Sequence, residues 1–251
     1  LLNYHLLVGP AVHSSLVDVL LRFRRHRIAL TTDVSRMYCA VLLPADQRDL
    51  HRFVWRRESS EPLVDYRMTR LTFGVSASSF AANMAVKQNA LDNAQTYPQA
   101  AQAVLNSFYV DDGLAGEDSI KGAVQLQTQL HLLFSGAGFT LHRWRSNEPR
   151  VLAHVAPELK DQQPGREIKG EETFAKVLGL EWDADLDAFH PTVANRTLLT
   201  KGITKRSLLS NIARIYDVLG WCSPSVIKLK ILMQRRWEEK LCWDDDVPPE
   251  Y

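Results

Sequence analysis

The chain has 251 residues, 45% hydrophobic and 24% charged, with a formal net charge of +1. That is room for one large domain or two modest ones of ordinary soluble composition. No run nears the roughly 18 apolar residues a membrane helix needs. Cys39, Cys222 and Cys242 lie too far apart for a C-x-x-C pair, which argues against zinc and a disulfide framework. A reducing, intracellular setting is the simpler reading. The absence of an initial Met and of a basic leader suggests a processed piece of something longer.

Charge is unevenly placed. Arg22, Arg24, Arg25, His26 and Arg27 form one cluster, and residues 201–240 carry nine Lys or Arg against three acidic side chains. Such patches suit a protein that touches phosphates on some faces, and equally a solvated helix face.

In chain order, residues 11–23 have apolar side chains at helical spacing, and Ile28 to Thr32 reads as a short buried strand ending at Asp33. Residues 53–55 and 63–68 read as strands around a polar turn. Residues 76–94 lack Gly and Pro and predict a long helix, with Ser76 as its N-cap. The apolar run 104–110 predicts a strand, joined to Leu114-Ala115 in a hairpin with Asp111 and Asp112 at its tip. A helix over 119–134 follows, closed by Gly136 and Gly138. Strands over 139–144 and 174–182 flank a polar loop at 162–165. Beyond Pro191 the pattern turns helical, over 205–219 and 224–241, so the boundary between an α+β part (1–191) and a helical part (192–251) falls there.

Asp-Asp-Gly alone is most often a turn. Asp33 changes the weighting, because a carboxylate at the end of a buried strand is costly unless a metal or partner neutralises it. Three carboxylates on neighbouring strand ends supply the hard oxygen ligands that magnesium takes. Two such ions about 3.5–4 Å apart serve phosphoryl-transfer enzymes, polymerases among them. The histidines show no metal-binding spacing, and His142 reads as a surface or core residue. Trp221, Trp237 and Trp243 read as packing for the helical part.

Phe108-Tyr109-Val110-Asp111-Asp112 resembles the Tyr-x-Asp-Asp signature of retroelement reverse transcriptases. Asp33 to Tyr38 resembles their first catalytic motif, and Leu71 to Phe80 resembles the Phe-Gly-x-x-x-Ser-Pro segment beneath the incoming nucleotide. Gly138 to Asn147 and Leu178-Gly179-Leu180-Glu181-Trp182 are similar to the later palm motifs. Phe-Gly-Val-Ser-x-Ser, Arg-Trp-x-Ser-Asn, Tyr216 to Gly220 with Pro224, and Trp243-Asp244-Asp245 give the resemblance the register of the Pao/BEL group of long-terminal-repeat retrotransposons. It covers nearly the whole chain.

The resemblance implies a right-hand polymerase of the α+β class: partial fingers and palm over 1–191, an antiparallel sheet backed by helices, then a helical thumb and the start of a connection over 192–251. It implies RNA-directed DNA synthesis from a primer on an RNA or DNA template. Asp33, Asp111 and Asp112 would be the catalytic ligands of two Mg2+ ions, with Mn2+ able to substitute. Tyr38 would reject a 2′-hydroxyl, and Phe73, Gly74 and Arg143 would line the deoxynucleoside triphosphate site. Phe73 stands where several relatives carry Gln, and Ser79 where Pro is usual. Arg143 stands where many have Lys, so charge stabilisation rather than proton donation is its role. Leu178, Gly179 and Leu180 would form the primer grip. Lys201, Lys205, Arg206, Arg214, Lys228 and Lys230 would hold the template-primer backbone. Ribonuclease H and integrase regions of a parent polyprotein, a cytoplasmic particle and no membrane complete the expectation. The nucleotide-holding basic residues of the fingers would lie upstream of Leu1, so that the chain in isolation could be inactive.

Three rivals remain. One is a domesticated or decayed retroelement module that binds nucleic acid or protein without catalysis. An aspartic peptidase would need Asp-Thr/Ser-Gly turns, which Asp111-Asp112-Gly113 does not supply. A two-metal nuclease would leave the Phe-Gly-Val-Ser and Leu-Gly-Leu segments unexplained.

Overall fold

The computed structural model describes residues 2–161, 175–190 and 203–246. The chain divides into two compact units, Leu1–Arg166 and Glu167–Tyr251.

In the first unit, α1 (Leu2–His5) is followed by α2 (Leu16–Phe23). The predicted helix from residue 11 starts late because Ser15 caps it, its Oγ accepting from Asp18 N at 3.1 Å. Next comes β1 (Ile28–Ser35), buried along almost its whole length. Its run of Ile, Ala, Leu and Thr is what a central strand requires, being covered on both faces. The strand continues to Ser35, so Asp33 lies within it and not at its end. After α3 (Met37–Ala40), β2 (Arg52–Trp55) and β3 (Val64–Arg67) pair into a separate ribbon exposed throughout.

The long helix α4 (Ser78–Asp92) begins one residue later than a Ser76 cap predicts, and Ala77 holds the cap position. Just before it, Ser76 N donates to Asn3 Oδ1 at 3.0 Å. Then α5 (Pro98–Ser107) replaces the start of the strand predicted from residue 104. Its buried Ala100, Ala101, Ala103 and Val104 follow helical spacing, and Pro98 in the first turn suits a helix start. The strand proper is reduced to β4 (Phe108–Tyr109), which returns through β5 (Asp112–Glu117). The helix α6 (Ile120–Gly136) is capped by Ser119, as its sequence implies, and leads to β6 (Thr140–Ser146).

These strands form one antiparallel sheet in the order β4-β5-β1-β6. The core beside it gathers Leu30, Val34, Leu130, Leu141 and Trp144 with a line of rings, Phe108 to Phe134 at 5.4 Å and Phe134 to Phe139 at 6.1 Å. Gly113 faces Phe108 across the β4–β5 pair. A Cβ there would lie 2.5 Å from the ring, so glycine is required for close approach rather than as a turn residue.

In the second unit, β7 (Ala175–Val177), β8 (Leu180–Asp183) and β9 (Ala188–His190) make an antiparallel meander. The single strand predicted over 174–182 is in fact a hairpin. Leu178 and Gly179 have φ of 50° and 87°, the two positive values of a tight two-residue hairpin turn. Two helices follow, α7 (Lys205–Ala213) and α8 (Ser223–Glu238). Thr204 and Ser207 form a reciprocal capping box at the start of α7, which ends before the predicted residue 219. The carboxylate of Asp217 accepts from Cys222 N at 2.9 Å and helps fix the turn into α8. Lys201 and the polar loop at 162–165 lie outside the described residues. Among the described residues no helix is long and apolar enough to cross a membrane.

Candidate active site

The site is built on the central strand β1. Asp33 is the direct cross-strand partner of Asp112 on β5 and of His142 on β6. Directly opposed residues of antiparallel strands project from the same face with Cβ atoms about 4.5–5.5 Å apart, so the pairing gathers Asp33, Asp112 and His142. Asp111 is the second residue of the β4–β5 turn. Its carbonyl accepts from Val34 N at 2.8 Å, which ties the turn to β1.

That turn is strained. Val110 has φ of 57°, a left-handed conformation that a β-branched residue rarely adopts and that costs on the order of 1–3 kcal/mol. The turn residues are Val110 and Asp111, while Asp112 already belongs to the returning strand. The tip predicted to hold both aspartates therefore holds one, and the other is locked in register with Asp33.

A second irregularity lies on β6. The β1–β6 register shifts between Thr31 and Asp33, and Arg143 has φ of 53°. This is a β-bulge, which re-aims side chains at the expense of one ladder position. Its effect is specific. Successive residues of a regular strand point to opposite faces, yet His142 Nε2 lies 2.9 Å from Asp33 Oδ1 and Arg143 Nη1 lies 3.8 Å from Asp33 Oδ2. Both reach one carboxylate.

The electrostatics follow from this crowding. Burial holds the Asp33 carboxyl above its ordinary range; His142 pulls it back, Asp111 pushes it further up, and Arg143 lowers it. Asp112 is pushed up to about 7 by burial first, then by the charges of Asp111 and Asp33, with Arg143 opposing. The site thus has more negative charge than its protein partners compensate.

Among the described residues no group of three or more His, Cys, Asp or Glu side chains is already gathered in metal-binding geometry. The donor set nonetheless fits a hard divalent cation: carboxylate oxygens on adjacent strands, one of them, Asp112, pushed up to about 7 by burial and by its two carboxylate neighbours.

Tyr38 on α3 is half-buried and meets Phe73 edge-on, ring centroids 4.9 Å apart, while Phe73 is 70% exposed. Gly74 has φ of 82° with open space where a Cβ would stand, and its carbonyl accepts from Asn3 Nδ2 at 2.7 Å. Asn3 therefore holds both Gly74 and Ser76, a role no local motif announces. His142 was also missed, because its function depends on a bulge that its neighbours in sequence do not signal. The Arg-Trp-x-Ser-Asn phrase resolves into separate duties. Trp144 fills the core, Arg145 pairs with Asp161 at 2.7 Å, and Asn147 holds Ala29 N and Arg27 O at 2.8 and 3.0 Å.

In the second unit, Leu178 and Gly179 form the β7–β8 hairpin turn and Leu180 opens β8, and a Cβ on Gly179 would lie 2.6 Å from the Tyr216 ring. The predicted backbone-binding set divides. Lys205 is buried, its ammonium donating to Leu241 O at 2.7 Å and lying over Trp243 and Trp237, 5.1 and 5.9 Å from the ring centroids. An ammonium so enclosed is a structural pin, which corrects its assignment to phosphate contact. Arg206 is committed to a two-point pair with Asp244 at 2.7 and 3.1 Å. Arg214, Lys228 and Lys230 are exposed. Lys228 and Lys230, two apart on a helix, do not share a face.

Residues 204–251 match the family described as Pao retrotransposon-like RNaseH-like domain. Among solved structures, the protease-reverse transcriptase of Prototype Foamy Virus is 21% identical with a TM-score of 0.43, over 56% of this chain and 17% of that one. No curated protein matches. In residues 204–251 the chain is similar to a piece of a retroelement polyprotein.

Proposed function

We propose that the chain is the catalytic core of an RNA-directed DNA polymerase from a Pao/BEL-type retroelement, with 1–191 as partial fingers and palm and 192–251 as thumb and start of connection. The observation that carries this reading is the register of Asp33 with Asp112, with Asp111 on the adjoining turn. Three carboxylates so arranged on a rigid sheet suit two-metal nucleotidyl transfer to a primer 3′-hydroxyl better than they suit folding, which like-charged neighbours oppose.

Magnesium, when bound, supplies Lewis-acid stabilisation of the phosphate oxygens. Asp33, Asp111 and Asp112 are the residues that would hold it. The β1–β5 ladder fixes Asp33 and Asp112 relative to each other, and the strained Val110 turn aims Asp111. Arg143 adds a fixed positive charge beside Asp33, suited to the polyphosphate of an incoming deoxynucleotide. Gly74 leaves room for close backbone approach, and Tyr38 braced by Phe73 offers a rigid wall for the sugar. Exposed Arg214, Lys228 and Lys230 remain candidates for backbone contact with template-primer, and Leu178–Leu180 for the primer grip. A cytoplasmic particle and ribonuclease H and integrase regions of the parent polyprotein belong to the same proposal.

One observation favours the non-catalytic rival: His142 and Arg143 already engage Asp33. Primer extension on an RNA template with magnesium, using the chain within its parent polyprotein, separates the two. Product that disappears in Asp111→Ala supports the polymerase. No product, or an Asp111→Ala variant equal to the unaltered chain, overturns it.

A further inference from the structure

The arginine cluster that precedes β1 is not used by the carboxylate site. It lies at the other end of the same strand pair. Ile28 faces Glu117 where Asp33 faces Asp112, five residues further along β1 (33 minus 28), or roughly 17 Å at about 3.4 Å per residue.

A half-open cleft of about 400 Å³ opens there, within the size range of small-ligand sites. Arg22, Arg25 and His26, from the end of α2 and the link to β1, form one wall. Gln99, Gln102 and Asn106 of α5 form the opposite one. Their spacing of three and four puts the amides on one helix face. That wall is anchored, since Gln129 Oε1 accepts from Gln99 N and Ala100 N at 3.0 and 3.3 Å.

The arginines have capacity left. Arg22 spends one N–H on Asn106 O at 2.8 Å, and a guanidinium has five. The Arg25 side chain makes no hydrogen bond among the described residues. Opposing charge at this end comes from Asp118, whose carboxylate also feels the charge of Arg25, and from Glu117. Asp118 is held by His26 at 3.1 Å and by Arg27 N at 3.2 Å. Glu117, the carboxylate that lines the cleft, has its Oε2 3.3 Å from where a Cβ on Gly122 would lie, beside the first turn of α6, whose N-terminal dipole favours a negative charge.

We propose that this cleft binds a phosphate group, from the monoester of a free nucleotide or the diester of a nucleic-acid strand. Arg25 and Arg22 take the phosphate by charge-assisted forked hydrogen bonds. The amides of α5, which both donate and accept, face the attached nucleoside. The site is independent of the carboxylates.

The test is hydrogen exchange on the full chain with inorganic phosphate, adenosine monophosphate, a short single-stranded oligodeoxynucleotide, or a glutamate-rich peptide of equal charge. Protection of residues 22–26 and 99–107 by a phosphate probe, unchanged in Asp111→Ala, is the expected result. Protection by the monophosphate assigns the source to a free nucleotide; protection by the oligodeoxynucleotide alone assigns it to a strand. Arg25→Ala should weaken binding about tenfold, the scale of one lost charged hydrogen bond, with the thermal midpoint unchanged. Arg25→Lys, which keeps the charge and loses the fork, should fall between. No protection at the cleft, equal protection by the peptide, or an Arg25→Ala variant that binds as the unaltered chain does would overturn the proposal.

Discussion

His142 Nε2 lies 2.9 Å from Asp33 Oδ1, and a one-residue bulge on the neighbouring strand brings Arg143 to the same carboxylate. Asp33 thus sits between two groups that can neutralise it on one side and two carboxylates on the other. Removing His142 takes away the main influence that lowers its pKa. In His142→Ala the Asp33 carboxyl should titrate at higher pH than in the unaltered chain, read by carboxyl-carbon NMR. An unchanged or lower value would mean the contact does not govern the charge of Asp33.

Asp112 gives the chain a pH dependence with a definite sign. Its carboxyl titrates near 7 in the fold against an ordinary 3.8. The folded state therefore binds this proton more tightly than the unfolded one. The stabilisation is complete below the unfolded pKa and is lost as pH rises through about 7. The thermal midpoint without metal should fall between about pH 5 and pH 8. In Asp112→Asn that fall should be smaller. If Asp112 holds magnesium, the ion competes with the proton, so magnesium should raise the midpoint more at the higher pH. A profile that is the same in both chains would exclude Asp112 as its source.

Substituting the carboxylates separates function from stability. If Asp33, Asp111 and Asp112 carry catalysis, each Asn variant should lose about 100-fold or more of primer extension, the scale of one lost transition-state charge contact. Asp112→Asn should nonetheless be at least as stable as the unaltered chain at about pH 8, since it removes a crowded buried charge. A variant that loses activity and unfolds early would point to a folding role instead.

Lys205 and Lys228 should behave oppositely. Lys205→Ala removes the ammonium that pins Leu241 O between two tryptophans and should lower the stability of the second unit by about 1–3 kcal/mol, the cost of leaving a buried polar group unpaired. Its effect on nucleic-acid affinity should be small at a temperature where the unit is folded. Lys228→Ala should leave stability unchanged and, if that face meets the phosphate backbone, weaken the salt dependence of binding by about one counterion. Anisotropy titrations at several salt concentrations distinguish them.

Gly113 should tolerate no side chain. Gly113→Val places its Cβ within 2.5 Å of the Phe108 ring and should cost about 1–3 kcal/mol through overpacking. Coupling it with Phe108→Ala should recover part of that loss. Purely additive destabilisation in the double variant would show that the ring is not the obstacle.

Much of this was legible from residue pattern. The buried strand at 28, the helix after Ser119 and the Pro224 helix start are local, and residue pattern announces them. The placement of Asp33 near the second aspartate pair was legible too, through the motifs between them. Some misreadings have local causes, such as the Ser15 cap of α2 and the Leu178–Gly179 turn, while others turn on contacts distant in sequence. Ser76 is a good N-cap by residue type, yet Ala77 holds the cap position and Ser76 N is bonded to Asn3. The apolar run at 104 continues an alanine-rich helix because that face packs against the core. Lys205 belongs to a basic stretch, yet two tryptophans more than thirty residues away enclose it.

The three aspartates show the same division. Their identity as hard oxygen donors, and the turn that carries Asp111, follow from sequence, because carboxylate chemistry and hairpin formation are local properties. The opposition of Asp33 and Asp112 is a matter of strand register. A one-residue slip of β5 against β1 would turn Asp112 to the opposite face. Only the tertiary structure decided that Asp33 and Asp112 stand opposite each other, and that His142 and Arg143 share the same carboxylate. Register is set by the core packed around the whole sheet and the bulge by the β1–β6 pairing, and neither is a property of the residues that form the site.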